Sequence, residues 1–320
     1  EGKYDSSLEK WNKVLSDNGN FEYAYTGLGL GYLREDNYSR AMKKFKRGNN
    51  RNFYSDALQY YRREVIESNF DIVFYSLIFL IIMLFFFVRF GVLEKIKEKG
   101  YLVKLEKEKQ KYSKKFINAL SFSIHLIFHP FGGFWELKEE KRGNIISASV
   151  LLLLVIASYV FVRQYTGFIF NKRDLNELNI LFEAATIIIP FLLWCTVNWS
   201  LTTLMEGKGN FKEISISTAY ALTPLIILNF PITIISDYLI QEEGMFYYAF
   251  LVLAVFWTSC LLFFGMMTIH EYTLPKTFFT TILTIIGIGI VLFIGLLFYS
   301  VVNQLVQFIT DIYAEIVFRI

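Results

Sequence analysis

Charge, cysteine and proline are all scarce in this chain of 320 residues: 19% of positions are charged, cysteine occurs twice and proline five times. Two thiols do not make a disulfide scaffold of the secreted kind. Both, Cys195 and Cys260, fall inside apolar runs, where a thiol behaves as a small hydrophobe. The formal net charge is only +3, so composition excludes a nucleic-acid binder. Catalytic signatures are missing as well: there is no phosphate-cradling loop, HExxH or nucleophile elbow. Gly207-Lys208-Gly209 lacks the glycine spacing of a nucleotide loop and reads as a tight turn. No enzyme activity, cofactor or metal is expected. No signal peptide or Met opens the chain, and Glu1 starts abruptly inside a patterned segment, so further sequence is expected upstream.

What fills the chain is apolar. Hydrophobic residues make up 54% and aromatics 18%, too greasy for a soluble enzyme of this size. Runs of about 20 apolar residues have no cheap home but lipid, where a helix satisfies every backbone polar group internally. Six spans are expected, at 72–88, 145–162, 180–204, 214–236, 245–267 and 278–302. The fold class is therefore all-α, a polytopic helical membrane protein with a small polar domain in front. Residues 89–143 hold thirteen Lys and Arg against seven acids, whereas loop 237–244 holds no basic residue. The positive-inside rule then puts 89–143, 205–213 and 268–277 in the cytoplasm, and the N-terminal domain and the C-terminus outside.

Residues 1–68 carry an internal repeat. Tyr4, Ser7, Trp11 and Val14 recur 34 residues later as Tyr38, Ala41, Phe45 and Gly48. With Tyr25, Leu28, Gly29 and Tyr32 before them, these residues resemble the tetratricopeptide repeat. Asn37 and Asp36 at the turn, and the lack of a closing proline, depart from that family's pattern. The resemblance implies a helical hairpin domain whose concave groove, lined by Tyr23, Thr26, Leu30, Leu33 and Arg34, docks a partner. The alternative is that Leu30 and Leu33 pack on a neighbouring helix.

The remaining segments divide at 69–90 (first span), 91–143 (a basic helix followed by an interfacial helix), 144–302 (five spans) and 303–320 (an amphipathic helix). Residues 116–128 are too short to span and are expected to lie at the membrane surface, with Phe134 and Trp135 at headgroup depth. Val302, Leu305, Val306, Ile309, Ile312, Tyr313, Ile316 and Val317 make an apolar stripe in the last segment.

From about Ala119 onward the chain resembles the Yip (Ypt-interacting protein) family. The matching residues are His129-Pro130-Phe131 through Asn144, Gly207-Lys208-Gly209, Ala219-Tyr220-Ala221-Leu222-Thr223-Pro224, and His270-Glu271-Tyr272 to Lys276. This resemblance implies a five-span interaction or scaffold domain with no catalytic residues to carry over. The preceding domain and extra span look like bacterial members, some found beside carbohydrate ABC importers. The expectation is an accessory subunit in a bacterial cell membrane, with the bilayer, an ABC permease and a solute-binding protein as partners. A channel or transporter is the alternative. Intramembrane ionisable groups are costly and so are functional candidates. Here they are Glu183, Asp237 and Arg163, with Asn198 and Asn229 as polar residues near mid-membrane and Pro190, Pro224 and Pro231 as kink sites. A structural clamp is the competing reading. His125 and His129 share a helix face, but Glu136 and Glu139 lie beyond the break expected at Pro130, Gly132 and Gly133.

Overall fold

A computed structural model describes residues 4–72, 74–76, 78–79, 82–83, 107–172 and 178–319, and no strand occurs among them. The expected first span at 72–88 and the basic segment that follows fall largely outside the described residues. Two compact units are resolved, one made of 1–113, 161–178 and 228–252, the other of 114–160, 179–227 and 253–320.

The first unit opens with four consecutive helices, α1 (Tyr4–Asp17), α2 (Glu22–Arg34), α3 (Tyr38–Arg47) and α4 (Arg51–Ser68). Asn37 and Asn50 accept from the backbone N–H of Arg40 and Phe53, so each caps the helix that follows. Small residues let neighbouring helices touch. A Cβ on Gly29 would strike the Phe45 ring, and one on Gly48 would meet the Glu22 carbonyl at 2.8 Å. Ala41, Phe45 and Ala57 form the centre of this domain, with Leu30 and Leu33 packed on it. The remainder of the unit comprises the end of α7 (Ile145–Tyr165), the end of α10 (Thr223–Ser236), the start of α11 (Gly244–His270) and their loops.

The second unit contains the hairpin of α5 (Lys107–Phe128, from residue 114 onward) and α6 (Pro130–Glu139), then most of α7, α8 (Ile180–Leu204), α9 (Phe211–Ala221), the start of α10, most of α11, and α12 (Leu274–Arg319). Its centre gathers Phe122, Leu126, Phe134, Leu151, Ala219, Tyr220 and Leu261. Among the described residues, five segments are long and apolar enough to cross a membrane: Ile145–Tyr165, Ile180–Leu204, Phe211–Ser236, Gln241–His270 and Leu274–Glu315.

Two boundaries differ from the sequence reading. The span expected at 214–236 is two helices parted at Leu222, because Pro224 lacks an N–H to continue the ladder. Thr223 Oγ1 donates to the Tyr220 carbonyl at 2.7 Å in its place. The amphipathic segment 303–320 is not a separate helix but runs on from the last span as one 46-residue helix. Phe134 is fully buried in the core of the second unit, while Phe131 and Trp135 stay exposed. The hairpin turn at His129 causes this, since a Cβ on Gly133 would sit 3.0 Å from Leu126 Cα and glycine lets α6 press onto α5.

Candidate functional site

At one end of the second unit, two loops meet that the sequence keeps some 60 residues apart. The loop after α8 carries Gly207-Lys208-Gly209, and the turn after α11 carries His270-Glu271-Tyr272. Gly209 N–H donates to His270 Nδ1 at 3.2 Å. With Nδ1 accepting, the ring proton sits on Nε2 and is donated to Asn198 Oδ1 at 2.8 Å. This closeness is why the loop needs glycine. A Cβ on Gly209 would strike Ile269, and one on Gly207 would fall 2.5 Å from the Tyr272 hydroxyl.

Glu271 lies between the two rings in the left-handed region, φ 57°. A non-glycine residue there costs on the order of 1 kcal/mol. In return its carboxylate sits between two cations, Lys138 Nζ at 2.7 Å and Lys208 Nζ at 2.6 Å. Those two ammonium donors hold the carboxyl far below the usual range, at about 2. α6, the loop after α8 and the turn after α11 are thereby joined through one side chain. Lys276 covers the Tyr272 ring face at 4.7 Å. Beside His270, a cavity of ≈ 10 Å³ is lined by Trp194, Asn198, Ser217 and Thr218 among others, room for about one water.

Deeper in the same unit, Tyr220 is fully buried. Its hydroxyl donates to the Ala119 carbonyl at 2.8 Å and shares a 2.8 Å hydrogen bond with Ser147 Oγ. This one side chain ties α9 to α5 and α7.

A second polar centre lies within the first unit. Arg62 of α4 grips Glu243 with both terminal nitrogens, at 2.7 and 2.8 Å, and Nη1 also donates to the Tyr238 carbonyl at 3.1 Å. Arg51 donates to the Phe168 and Asn171 carbonyls, and its guanidinium lies 4.9 Å from the Phe168 ring centre. Gln241 N–H donates to Ser55 Oγ at 2.8 Å. Leu58 packs with Ile169 and Ile240 in the middle. The last helix of the N-terminal domain is thus bound to the loops at the ends of α7 and α10.

The residues singled out from sequence are distributed as follows. Tyr23 is exposed and Arg34 likewise, Thr26 faces Gly48, and Leu30 and Leu33 pack on the Ala41–Phe45 centre. Glu183 is buried in the first turn of α8 and Asn198 is buried against His270, both in the second unit. Arg163, Asn229 and Asp237 belong to the first unit. The Arg163 carbonyl accepts from the Asn171 amide, Asn229 is buried, and partial burial raises the Asp237 carboxyl pKa, with Lys46 opposing the shift. His125 and His129 stack at 4.6 Å, and the α5–α6 turn returns Glu136 to within 4.0 Å of His125. Among the described residues, no group of three or more metal-ligating side chains assembles.

Arg62, Glu243, Lys138 and Glu271 were absent from the sequence-derived candidates. Each is an ordinary surface-type charge in sequence, and the signal lies in its distant partner. Neither the curated proteins nor the solved structures include a significant match. The Yip1 domain model matches residues 124–296, which takes in the hairpin turn, the Tyr220 anchor and both loops of the His270 cluster. The chain belongs to the Yip1 domain family.

Proposed function

We propose that this protein is a non-enzymatic accessory or scaffold subunit of a plasma-membrane complex. Its five-span domain binds other membrane subunits, and its N-terminal helical domain presents a docking surface outside the cell. The observation that carries this reading is the grip of α4 on the loops at 166–172 and 237–243. Arg62, Arg51 and Ser55 hold the N-terminal domain as a fixed platform, which lowers the ordering cost of docking a partner. Tyr23 and Arg34 remain exposed on α2 for that role. The charge bias of the loops supports an external position for this platform. The class of complex, a bacterial carbohydrate ABC importer, rests on the family resemblance alone.

Purification of the natively expressed protein in mild detergent, with mass spectrometry of what co-elutes in stoichiometric amount, tests the reading. Permease, ATPase or solute-binding subunits are the expected companions. Elution with no foreign subunit overturns it. A second reading, a channel or transporter, is favoured by the polar cavity beside Asn198 and His270. Flux in liposomes that Asn198→Leu abolishes, with the protein still folded, would support that reading over the first.

A further inference from the structure

The final helix is too long for the membrane it enters. α12 runs 46 residues from Leu274 to Arg319. At 1.5 Å per residue that is about 69 Å, against roughly 30 Å of hydrocarbon. Even at a tilt of about 40° it would rise about 53 Å along the membrane normal, so tilt does not absorb the excess. Only its first part is packed. Thr277, Thr280 and Thr284 are fully buried, and a Cβ on Gly287 would meet Val197 at 2.6 Å. Every residue from Gly289 to Tyr313 is exposed. Lipid covers the first stretch of that run. Beyond about Leu297, polar residues recur at Ser300, Asn303, Gln304, Gln307 and Asp311, which marks the exit from hydrocarbon.

The protruding segment still carries a continuous apolar seam. Phe298, Val302, Leu305, Ile309 and Ile312 follow one another at intervals of four, three, four and three residues, and the sequence continues the pattern at Ile316. That is the a/d alternation of a coiled coil, with β-branched residues at the a positions 302 and 309. Asn303, Gln304, Gln307, Thr310 and Asp311 take the outer b, c and f positions. The seam is uncovered: Leu305 is 56% exposed and Ile309 57%. With Val306 and Tyr313 beside it, the seam presents on the order of 800 Å² of apolar surface per copy, about what each side of a stable interface covers.

We infer that residues 298–316 of α12 form a parallel coiled coil with the same segment of a second copy of this chain. Copies inserted in one bilayer share orientation and depth, so their seams meet parallel and in register without further adjustment. A foreign helix would have to match both depth and heptad phase. The membrane surface is a poor alternative cover. Reaching it would require a sharp bend, yet the helix holds no proline after Pro275, and Asp311 and Glu315 repel anionic headgroups.

Disulfide cross-linking of the full chain in its native membrane tests this, in a background with Cys195→Ala and Cys260→Ala. Single cysteines at the seam positions 302, 305, 309 and 312 are expected to give at least about tenfold more homodimer than those at 303, 304, 307 and 310. In lipid nanodiscs, Leu305→Asp with Ile309→Asp should convert the homo-oligomer to monomer. Cross-linking without seam periodicity, its absence, adducts with another protein only, or a monomeric wild type each overturn the inference. The readout is contact between copies, so it stands or falls separately from co-purification of foreign subunits.

Discussion

If α4 holds the N-terminal domain on the membrane-domain loops, breaking the Arg62–Glu243 pair should loosen that contact by a calculable amount. The pair is bidentate, 2.7 and 2.8 Å, with side chains 34% and 29% exposed. Fully exposed ion pairs contribute about 0–1 kcal/mol, whereas paired charge-assisted bonds two-thirds covered justify about 1.5 kcal/mol. A change of about 1.4 kcal/mol is tenfold in an equilibrium. The reporter is built in, because Gln241 N–H is protected by its bond to Ser55 Oγ. Arg62→Met and Glu243→Gln should each speed hydrogen exchange at Gln241 about tenfold in lipid nanodiscs. The double variant should add little, since either change alone removes the same interaction. Rates within about twofold of wild type, or single effects that simply multiply, would refute the coupling.

Other expectations follow from the same geometry. Tyr220→Phe removes a hydroxyl that serves both Ala119 and Ser147, and should cost about 1–3 kcal/mol in thermal or denaturant unfolding. Gly167→Ala places a methyl 2.9 Å from Asp237 N and against the Ser236 carbonyl, where backbone cannot yield, so a loss of about 2–4 kcal/mol is expected from the same assay. Glu271 has a folded pKa of about 2, below its ordinary 4.5, so its contribution is full above pH 4.5 and disappears as pH falls toward 2. Stability curves of wild type and Glu271→Gln should therefore differ at neutral pH and converge in acid; coincidence at pH 7 would count against the Lys138–Glu271–Lys208 bridge. Asn198→Leu strips the acceptor from the buried His270 Nε2–H and should destabilise by about 1–3 kcal/mol.

The sequence alone determined the parts of this protein that depend on length and solvent preference. Apolar runs of about 20 residues define the spans because lipid admits little else, and among the described residues five of the expected spans are long and apolar enough to cross. Pro224, expected as a kink site, marks a break by its missing N–H. Where every face of a helix is apolar, periodicity says nothing about neighbours. The pairing of Gly209 with His270, the bridge from Lys138 through Glu271 to Lys208, and Tyr220 reaching Ala119 were therefore not legible. Nor was the return of Glu136 toward His125, because Gly132 and Gly133 read as a break and in fact continue α6. Arg62 and Glu243 stand 181 positions apart. An ion pair carries no trace in either residue's local sequence, and only the tertiary fold decides that the two charges meet.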